Sequence, residues 1–371
     1  MNTYYKYRNA VIHFLYTRVL KPILFLNDPE NIHDSFLFVG TLLGKFSLTR
    51  WKTRMMFGYK NLMLNQNVLG ITFANPVGLS AGFDKDGVLT DIIDSVGFGF
   101  AELGSVTAKP YEGNPRPRLW RLPKSKSLGV WYGLKNKSAG VLVKKLYGKK
   151  RRLPLGVSVA FTNCKENLDI DMAIADYVAG FGVVFGIADY ITVNISCPNT
   201  SGGQPFVILE NYDKLMTHLD KIETKKPIFV KISPDMSKEA IDEFLRISRE
   251  HKVDGIICSN LTKRFEQKDV LDPIPPHGGL SGKMVFPKAM DLLSYMYKKE
   301  PTKFVYVFCG GIFSADDAYM AIRNGATLIQ MITGMIFEGP QLISEINRGL
   351  SEKLSRDGFK NVSEAIGVDN V

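Results

Sequence analysis

Residues 304–334 read FVYVFCGGIFSADDAYMAIRNGATLIQMITG and contain the two most informative turns of the chain. One apolar run ends at Gly310-Gly311, an amphipathic segment follows, and a second run, Thr327 to Met331, leads into Thr333-Gly334. Strand, helix and strand in this order predict parallel strands joined by a right-handed crossover. Glycines after two consecutive strands leave backbone N–H groups accessible, which is typical of a phosphate site in a barrel.

The same alternation of strand and helix patterns extends from about residue 70 onward. Eight apolar runs are separated by amphipathic segments, and eight such units favour closure into a (β/α)8 TIM barrel of the α/β class. An open doubly wound sheet is the alternative, but no GxGxxG follows the first run. The runs are Pro76 to Leu79, Gly99 to Leu103, Leu155 to Ala160, Tyr190 to Asn194, Ile228 to Ile232, Gly255 to Cys258, Phe304 to Cys309 and Thr327 to Met331.

The composition limits the classes of function. Apolar residues make up 45% of the chain and charged residues 23%, which is enough apolar material for a large core and excludes global disorder. The net charge of +10 could attract nucleic acid, a membrane or acidic small molecules, but a basic run such as Lys149 to Arg152 is equally typical of solvated loops. The strand-end motifs argue against a nucleic-acid partner. The cysteines, Cys164, Cys197, Cys258 and Cys309, form no CxxC pair, so we expect neither a disulfide framework nor a metal site.

The N-terminal region has a helical pattern of its own. Apolar residues at helical spacing between residues 4 and 26 predict an amphipathic helix with cationic flanks, and Asp28-Pro29 marks the start of a second helix. No run is long enough to span a membrane. We therefore divide the chain into a two-helix extension (1–60), a barrel (61–357) and a loosely held polar tail (358–371).

Polar residues follow several of the predicted strands, where a barrel places its active site. The first run leads into Ala81-Gly82-Phe83-Asp84-Lys85, and the fourth ends in Asn194 and leads into Cys197-Pro198-Asn199. Carboxamides can bind both donors and acceptors of a cyclic imide, and a thiol can exchange a proton. In isolation, Lys85 could be a solvated lysine and Cys197 an inert buried thiol.

Lys231 lies inside the fifth apolar run, where a lysine must find a partner or lose its charge. A flavin-free aldolase with Lys231 as a Schiff-base nucleophile would have a similar run. A structural ion pair with Asp235 is the simpler alternative.

Together, these motifs resemble the dihydroorotate dehydrogenases over about residues 65 to 350. The N-terminal segment, with Asp28-Pro29-Glu30 and His33 ahead of an apolar helix, is similar to the extension of the quinone-linked class. The matching barrel segments are Asn75 to Gly87, Asn194 to Thr200, Val230-Lys231-Ile232, Gly278 to Gly282 and Gly310-Gly311.

The resemblance implies an FMN enzyme of de novo pyrimidine biosynthesis that oxidises dihydroorotate to orotate and reduces a quinone held by the extension. It also implies peripheral attachment to a membrane, on the cytoplasmic side of the inner membrane if the source is bacterial. Cys197 would be the catalytic base, and Lys85, Asn194, Asn199 and Asn260 would bind the substrate. The implied FMN contacts are Ala81, Gly82, Ser105, Ser158, Asn194, Lys231, Ser259, Gly282, Gly311, Thr333 and Gly334.

The chain departs from the family pattern at three positions. Cys197 stands where the quinone-linked class has serine, and Ser158 stands where the family has asparagine. Val130 replaces an asparagine that would bind the pyrimidine, leaving three of the four expected asparagines. Because a missing hydrogen bond to a polar substrate weakens its binding, a related FMN oxidoreductase acting on another cyclic amide or an enone is the alternative function.

Overall fold

The computed structural model describes residues 2–370, and within them eight parallel strands close into a barrel. Consecutive strands are neighbours, and β8 pairs with β1 to complete the closure. Each predicted apolar run contains most or all of one strand. The closed barrel confirms the predicted fold and excludes the open sheet. The strands are β1 (Val77–Leu79), β2 (Phe100–Val106), β3 (Leu155–Val159), β4 (Tyr190–Asn194), β5 (Ile228–Lys231), β6 (Gly255–Cys258), β7 (Val305–Cys309) and β8 (Leu328–Met331).

A hairpin of Gln66–Val68 and Ile71–Phe73 packs against large side chains at the N-terminal end of the barrel. The Phe73 ring packs edge-on against Phe100, 5.3 Å between centroids, within an apolar cluster that includes Tyr190. Ligands must therefore enter at the other end, where the strands finish.

A small antiparallel sheet carries further residues to this open end. Its strands are Leu119–Leu122, Ser127–Val130 and Gly279–Gly282, with Ser127–Val130 in the centre. The pairing places Gly279 opposite Val130. Two segments far apart in sequence thus contribute to the same end of the barrel.

The N-terminal extension contains α1 (Asn2–Leu15), α2 (Lys21–Phe25), α3 (Pro29–Lys45) and α4 (Ser47–Phe57), with a π-helical turn, Tyr16–Leu20, between α1 and α2. The predicted start of α3 is confirmed, since the Asp28 carboxylate accepts from the Asn31 N–H at 2.9 Å. Helix α4 was not predicted. Large apolar side chains remain exposed on the extension, with Leu26 88% and Phe38 70% accessible. None of the described helices is both long and apolar enough to cross a bilayer.

The remaining helices surround the barrel, each with an apolar face turned inward. In the helix that begins after Ser237, for example, Ile241, Phe244 and Leu245 are buried on one face, and the Ser237 hydroxyl caps the first turn. These helices are α5 (Ile93–Val96), α6 (Ala139–Leu146), α7 (Ile170–Val183), α8 (Leu209–Leu219), α9 (Lys238–Glu250), α10 (Phe286–Lys299), α11 (Ala315–Arg323), α12 (Thr333–Glu338) and α13 (Leu342–Arg356).

Residues 358–370 are not loosely held, which corrects the prediction from the polarity of this segment. Val362 and Ala365, in a short 3-10 turn, are fully buried, and the Asp369 carboxylate pairs with Arg323 of α11. The Asn370 side chain donates to the Ser294 carbonyl at 2.7 Å. Buried residues two or three positions apart hold this segment against the barrel although most of its residues are polar.

Candidate active site

A cavity of about 220 Å³ lies at the C-terminal ends of the barrel strands. Its walls combine strand ends, the small sheet and, through His33, helix α3 of the extension. Every predicted site residue except Ser158 lines it. The predicted residues on its wall are Ala81, Gly82, Lys85, Ser105, Asn194, Cys197, Asn199, Lys231, Ser259, Asn260, Gly282, Gly311, Thr333 and Gly334.

Ser158 lies one step behind the cavity wall. It is completely buried in β3, and its hydroxyl is hydrogen-bonded to that of Ser105 at 2.7 Å. Asn194 also donates to the Ser105 hydroxyl, at 2.8 Å. Ser158 therefore orients Ser105, and through it Asn194, instead of lining the cavity itself.

Asn194 and Asn260 form one polar network. The Asn260 amide donates to the Asn194 Oδ1 and to the Ser196 hydroxyl, both at 3.1 Å, and Ser196 donates to the Lys231 carbonyl at 2.7 Å. Because both ends of the Asn194 carboxamide are engaged, its orientation is defined. Buried amides held in this way form a rigid recognition surface.

The predicted phosphate end of the cavity is formed by bare backbone. A Cβ at Gly311 would lie 2.6 Å from the Gly282 carbonyl oxygen, and one at Gly334 would lie 2.1 Å from that of Ile312. Gly282 and Gly311 also have φ angles of +89° and +69°, which favour glycine. The cradle suits an anion that approaches the backbone closely.

Lys231 reaches into the cavity from the end of β5. Its ammonium donates to the Ser80 hydroxyl at 3.3 Å and lies 3.8 Å from the Cys309 sulfur. The proposed ion pair with Asp235 is absent, because Asp235 pairs with Lys288 at 3.0 Å instead. The Lys231 charge therefore has no carboxylate partner within the described residues and is free to face a ligand.

Cys197 lies in the loop after β4, on the cavity wall. Burial raises the pKa of its thiol to about 11, although a backbone N–H and the charges of Lys263 and Lys231 partly oppose that shift. At neutral pH only about one molecule in 10⁴ would carry a thiolate there. The thiol is therefore a weak acid in its resting state.

Lys85 is enclosed by the cavity and not a solvated surface lysine. Its ammonium lies 3.6 Å from the centroid of the Tyr132 ring and makes no hydrogen bond or ion pair within residues 2–370. Burial, together with the nearby charge of Lys135, lowers the Lys85 pKa to about 8. A cation without an acceptor is suited to receive an anionic group of a ligand.

Val130 leaves part of the cavity wall without the expected amide. Its side chain packs toward the apolar cluster of Leu128, and its carbonyl accepts from the Asn199 amide at 2.9 Å. Trp131 does not replace the missing group, since it stacks on His277, 4.3 Å between centroids.

Polar atoms on the cavity wall remain without partners. Within the described residues, the Tyr132 hydroxyl, Asn199 Oδ1 and Gln330 Oε1 are buried and accept or donate no hydrogen bond. Buried polar atoms are normally paired, so these three indicate a bound polar ligand. Gln330 was not among the predicted site residues, because it lies inside an apolar strand next to the more obvious glycine turn.

The cavity also borders the extension. His33 of α3 donates to the Phe83 carbonyl at 2.9 Å, and Leu119 and Ile336 contribute apolar wall nearby. Phe25 of α2 packs edge-on against Phe337, 5.7 Å between centroids. An apolar entrance between extension and barrel thus adjoins the polar site around Cys197.

Comparison with known proteins identifies similar sequences and folds. The family model for dihydroorotate dehydrogenase matches residues 63–354. A dihydroorotate dehydrogenase (quinone) of Trichodesmium erythraeum is 35% identical over 96% of this chain and 99% of its own length, and one of Natronomonas pharaonis is 36% identical over 95% and 99%.

Solved structures agree with the sequence comparison. The crystal structure of DHODH in complex with ferulenol from Eimeria tenella covers 92% of this chain and 96% of its own, with a TM-score of 0.80 and 29% identity. The ligand-free form from the same organism has a TM-score of 0.77 at 28% identity, over 88% of this chain and 98% of its own. Because the Trichodesmium erythraeum relative is aligned over 96% of this chain, the sequence similarity includes most of the extension.

Proposed function

Because the chain belongs to the dihydroorotate dehydrogenase family, whose quinone-linked members are oxidoreductases, we propose that it oxidises (S)-dihydroorotate to orotate in de novo pyrimidine biosynthesis. FMN is the proposed cofactor and a quinone the electron acceptor. One observation carries the proposal. A thiol, an unpaired ammonium and three carboxamides, those of Asn194, Asn199 and Asn260, line one cavity whose other end is a bare glycine cradle.

The donor set fits FMN. The Gly282, Gly311 and Gly334 backbone would hold its phosphate, and Lys231 would face the flavin edge on which negative charge develops. Ala81, Gly82, Ser105, Ser259 and Thr333 complete the lining, while Ser158 supports it through Ser105. When bound, FMN supplies the two-electron acceptor that neither the substrate nor any side chain provides.

Cys197 is the proposed general base. Its sulfur would take the proton from C5 of the substrate as the C6 hydride departs, so the C–H bonds at C5 and C6 break and a C=C bond forms. Because its raised pKa keeps the thiol neutral at rest, Cys197 must first release its own proton to solvent before its sulfur can act as a base. The nearby charge of Lys231 would stabilise the resulting thiolate, which then takes the C5 proton.

Lys85 and the carboxamides would hold the substrate. The Lys85 ammonium offers its charge to the substrate carboxylate, and Asn194, Asn199 and Asn260 face the imide. The free Asn199 Oδ1 is an acceptor for a ring N–H.

The extension is the proposed quinone and membrane site. Its exposed apolar side chains, such as Leu26 and Phe38, and its lysines and arginines suit the surface of an anionic bilayer. The apolar entrance beside His33 and Leu119 would admit the quinone. In a bacterium the enzyme would attach to the inner membrane from the cytoplasmic side.

A second candidate is favoured by Val130. Its apolar side chain lines the cavity where an amide would bind the pyrimidine, so a related FMN oxidoreductase could act on another cyclic amide or an enone.

Anaerobic mixing with L-dihydroorotate separates the two candidates. We expect the flavin absorption near 450 nm to bleach at micromolar to millimolar substrate, because Lys85 and three carboxamides remain to bind it. Stopped-flow spectroscopy measures the change. A yellow protein that dihydroorotate leaves oxidised, but that another cyclic amide or enone reduces, would establish the second candidate.

Leu119→Asp should separate quinone reduction from substrate oxidation. Leu119 begins the strand that packs against α3 and lines the apolar entrance, so a carboxylate there should slow reduction of a long-tailed quinone by at least about tenfold. Reduction of a soluble dye should change little. Leu119→Met and Leu271→Asp, at an exposed leucine outside the cavity, serve as controls. Equal losses with quinone and dye would contradict the assigned entrance.

A further inference from the structure

Glu30 of α3 is a buried carboxylate that ties the extension to the barrel. Only 3% of it is accessible, and Arg118 donates to it through Nη2 at 2.7 Å and Nε at 3.1 Å. Arg116 and Lys135 approach the same carboxylate at 3.2 and 3.3 Å. Three cations thus surround one acid, more than anchoring of a helix requires.

Tyr132 connects this cluster to Lys85. The Lys85 ammonium lies 3.6 Å from the Tyr132 ring centroid, and the Arg118 guanidinium carbon lies 5.3 Å from the same centroid. The Arg118 Nη1 is fixed by the carbonyls of Glu112 and Asn114 at 2.9 and 2.8 Å. A ring between two cations cannot shift without moving both, so the position of Arg118 limits that of Lys85.

The charges facing Lys85 come from several elements. Arg118 and Lys135 disfavour protonation of Lys85, whereas Glu30 and Asp86, the residue after Lys85, favour it. His33, also on α3, is held neutral by burial and by the Lys85 charge, since both lower its pKa. Glu30 is therefore the acidic group through which the extension offsets the cations around Lys85.

We propose that Glu30 is a positioning residue of the substrate site, which holds Lys85 in place and charged through Arg118, Tyr132 and Lys135. The inference rests on the proposed function for the identity of the ligand, a carboxylate-bearing ring. The extension would then influence substrate binding as well as quinone binding, because substrate affinity would depend on how α3 packs against the barrel.

The experiment compares two variants with opposite expected effects. Glu30→Gln removes the acid and should lower the pH midpoint of Lys85 by about one unit, whereas Lys135→Gln removes a cation and should raise it. The midpoint is measured by trace acetylation of the Lys85 amine as a function of pH, followed by peptide mass spectrometry. This readout needs no substrate.

Kinetics with a soluble dye as acceptor provide the second readout. At pH 8, Glu30→Gln should raise the dihydroorotate KM about fivefold, because a midpoint lowered from about 8 to about 7 reduces the protonated fraction of Lys85 from about a half to about a tenth. We expect kcat to stay within about twofold. Glu30→Asp should retain part of the affinity for dihydroorotate. It replaces Glu30→Gln in the experiment if that variant folds poorly. Asp94→Asn is the control, because it breaks another contact of the extension with the barrel, the Arg54 to Asp94 pair at 2.5 Å, away from the cavity.

The results of the two measurements distinguish failure of the inference about Glu30 from failure of the proposed function. Midpoints that move in opposite directions in Glu30→Gln and Lys135→Gln support the inference even if dihydroorotate proves not to be the substrate, which would overturn the proposed function alone. Unchanged midpoints, or a KM that rises as much in Asp94→Asn as in Glu30→Gln, would overturn the inference.

Discussion

Cys197→Ala is expected to retain FMN but to reduce it with dihydroorotate about 10²- to 10⁴-fold more slowly, the usual contribution of a general base. The physical reason is that the thiol, which lines the cavity between Asn194 and Asn199 in sequence, is the proposed proton acceptor. Anaerobic stopped-flow measurement of flavin bleaching gives the rate. Cys164→Ala, at a cysteine outside the cavity, is the matched control.

If Cys197 is the base, its pKa determines how the rate of flavin reduction depends on pH. Because the Cys197 pKa is raised to about 11, the thiolate fraction and hence the reduction rate should rise about tenfold per pH unit at neutral pH. Cys197→Ser should keep partial activity that increases toward higher pH. An alanine variant that reduces the flavin as fast as the unaltered protein would exclude Cys197 as the base.

Lys85→Met is expected to raise the dihydroorotate KM roughly 30- to 150-fold, equivalent to about 2 to 3 kcal/mol for a charged hydrogen bond. The side-chain volume is nearly kept, so the loss reports the charge. In the unaltered protein, affinity should fall as pH rises above about 8, where Lys85 loses its proton and with it the attraction for a carboxylate.

Steady-state kinetics between pH 6 and 9.5 test both statements. Lys283→Met, at an exposed lysine that does not line the cavity, should leave the KM unchanged. A Lys85→Met enzyme with normal KM would show that the substrate carboxylate binds elsewhere.

The barrel could be predicted because each of its strands gives a pattern in its own short stretch of sequence. Each buried strand is a short apolar run, and side chains such as Cys197 and Lys231 follow or end such runs, so their convergence follows from the closure of the barrel. The family assignment is likewise confirmed. Nearly all of the residues predicted because they follow or end a strand line the same cavity.

Other features depend on contacts between distant segments. The Glu30 to Arg118 pair joins residues 88 positions apart, and the cation–ring contact of Lys85 with Tyr132 joins different loops. No spacing rule predicts either. Ser158 was expected on the cavity wall, but β-strand geometry does not show which neighbour a short hydroxyl will reach.

The anchoring of both chain ends to α13 has a consequence for unfolding. Arg8 of α1 donates to Ser344 of α13 at 2.6 Å, and the turn containing Val362 and Ala365 packs against the same helix. Loss of α13 would remove contacts that hold α1 and the C-terminal segment at the same time. Extension and barrel therefore form one cooperative unit, and heating should melt them in a single calorimetric transition and not in two.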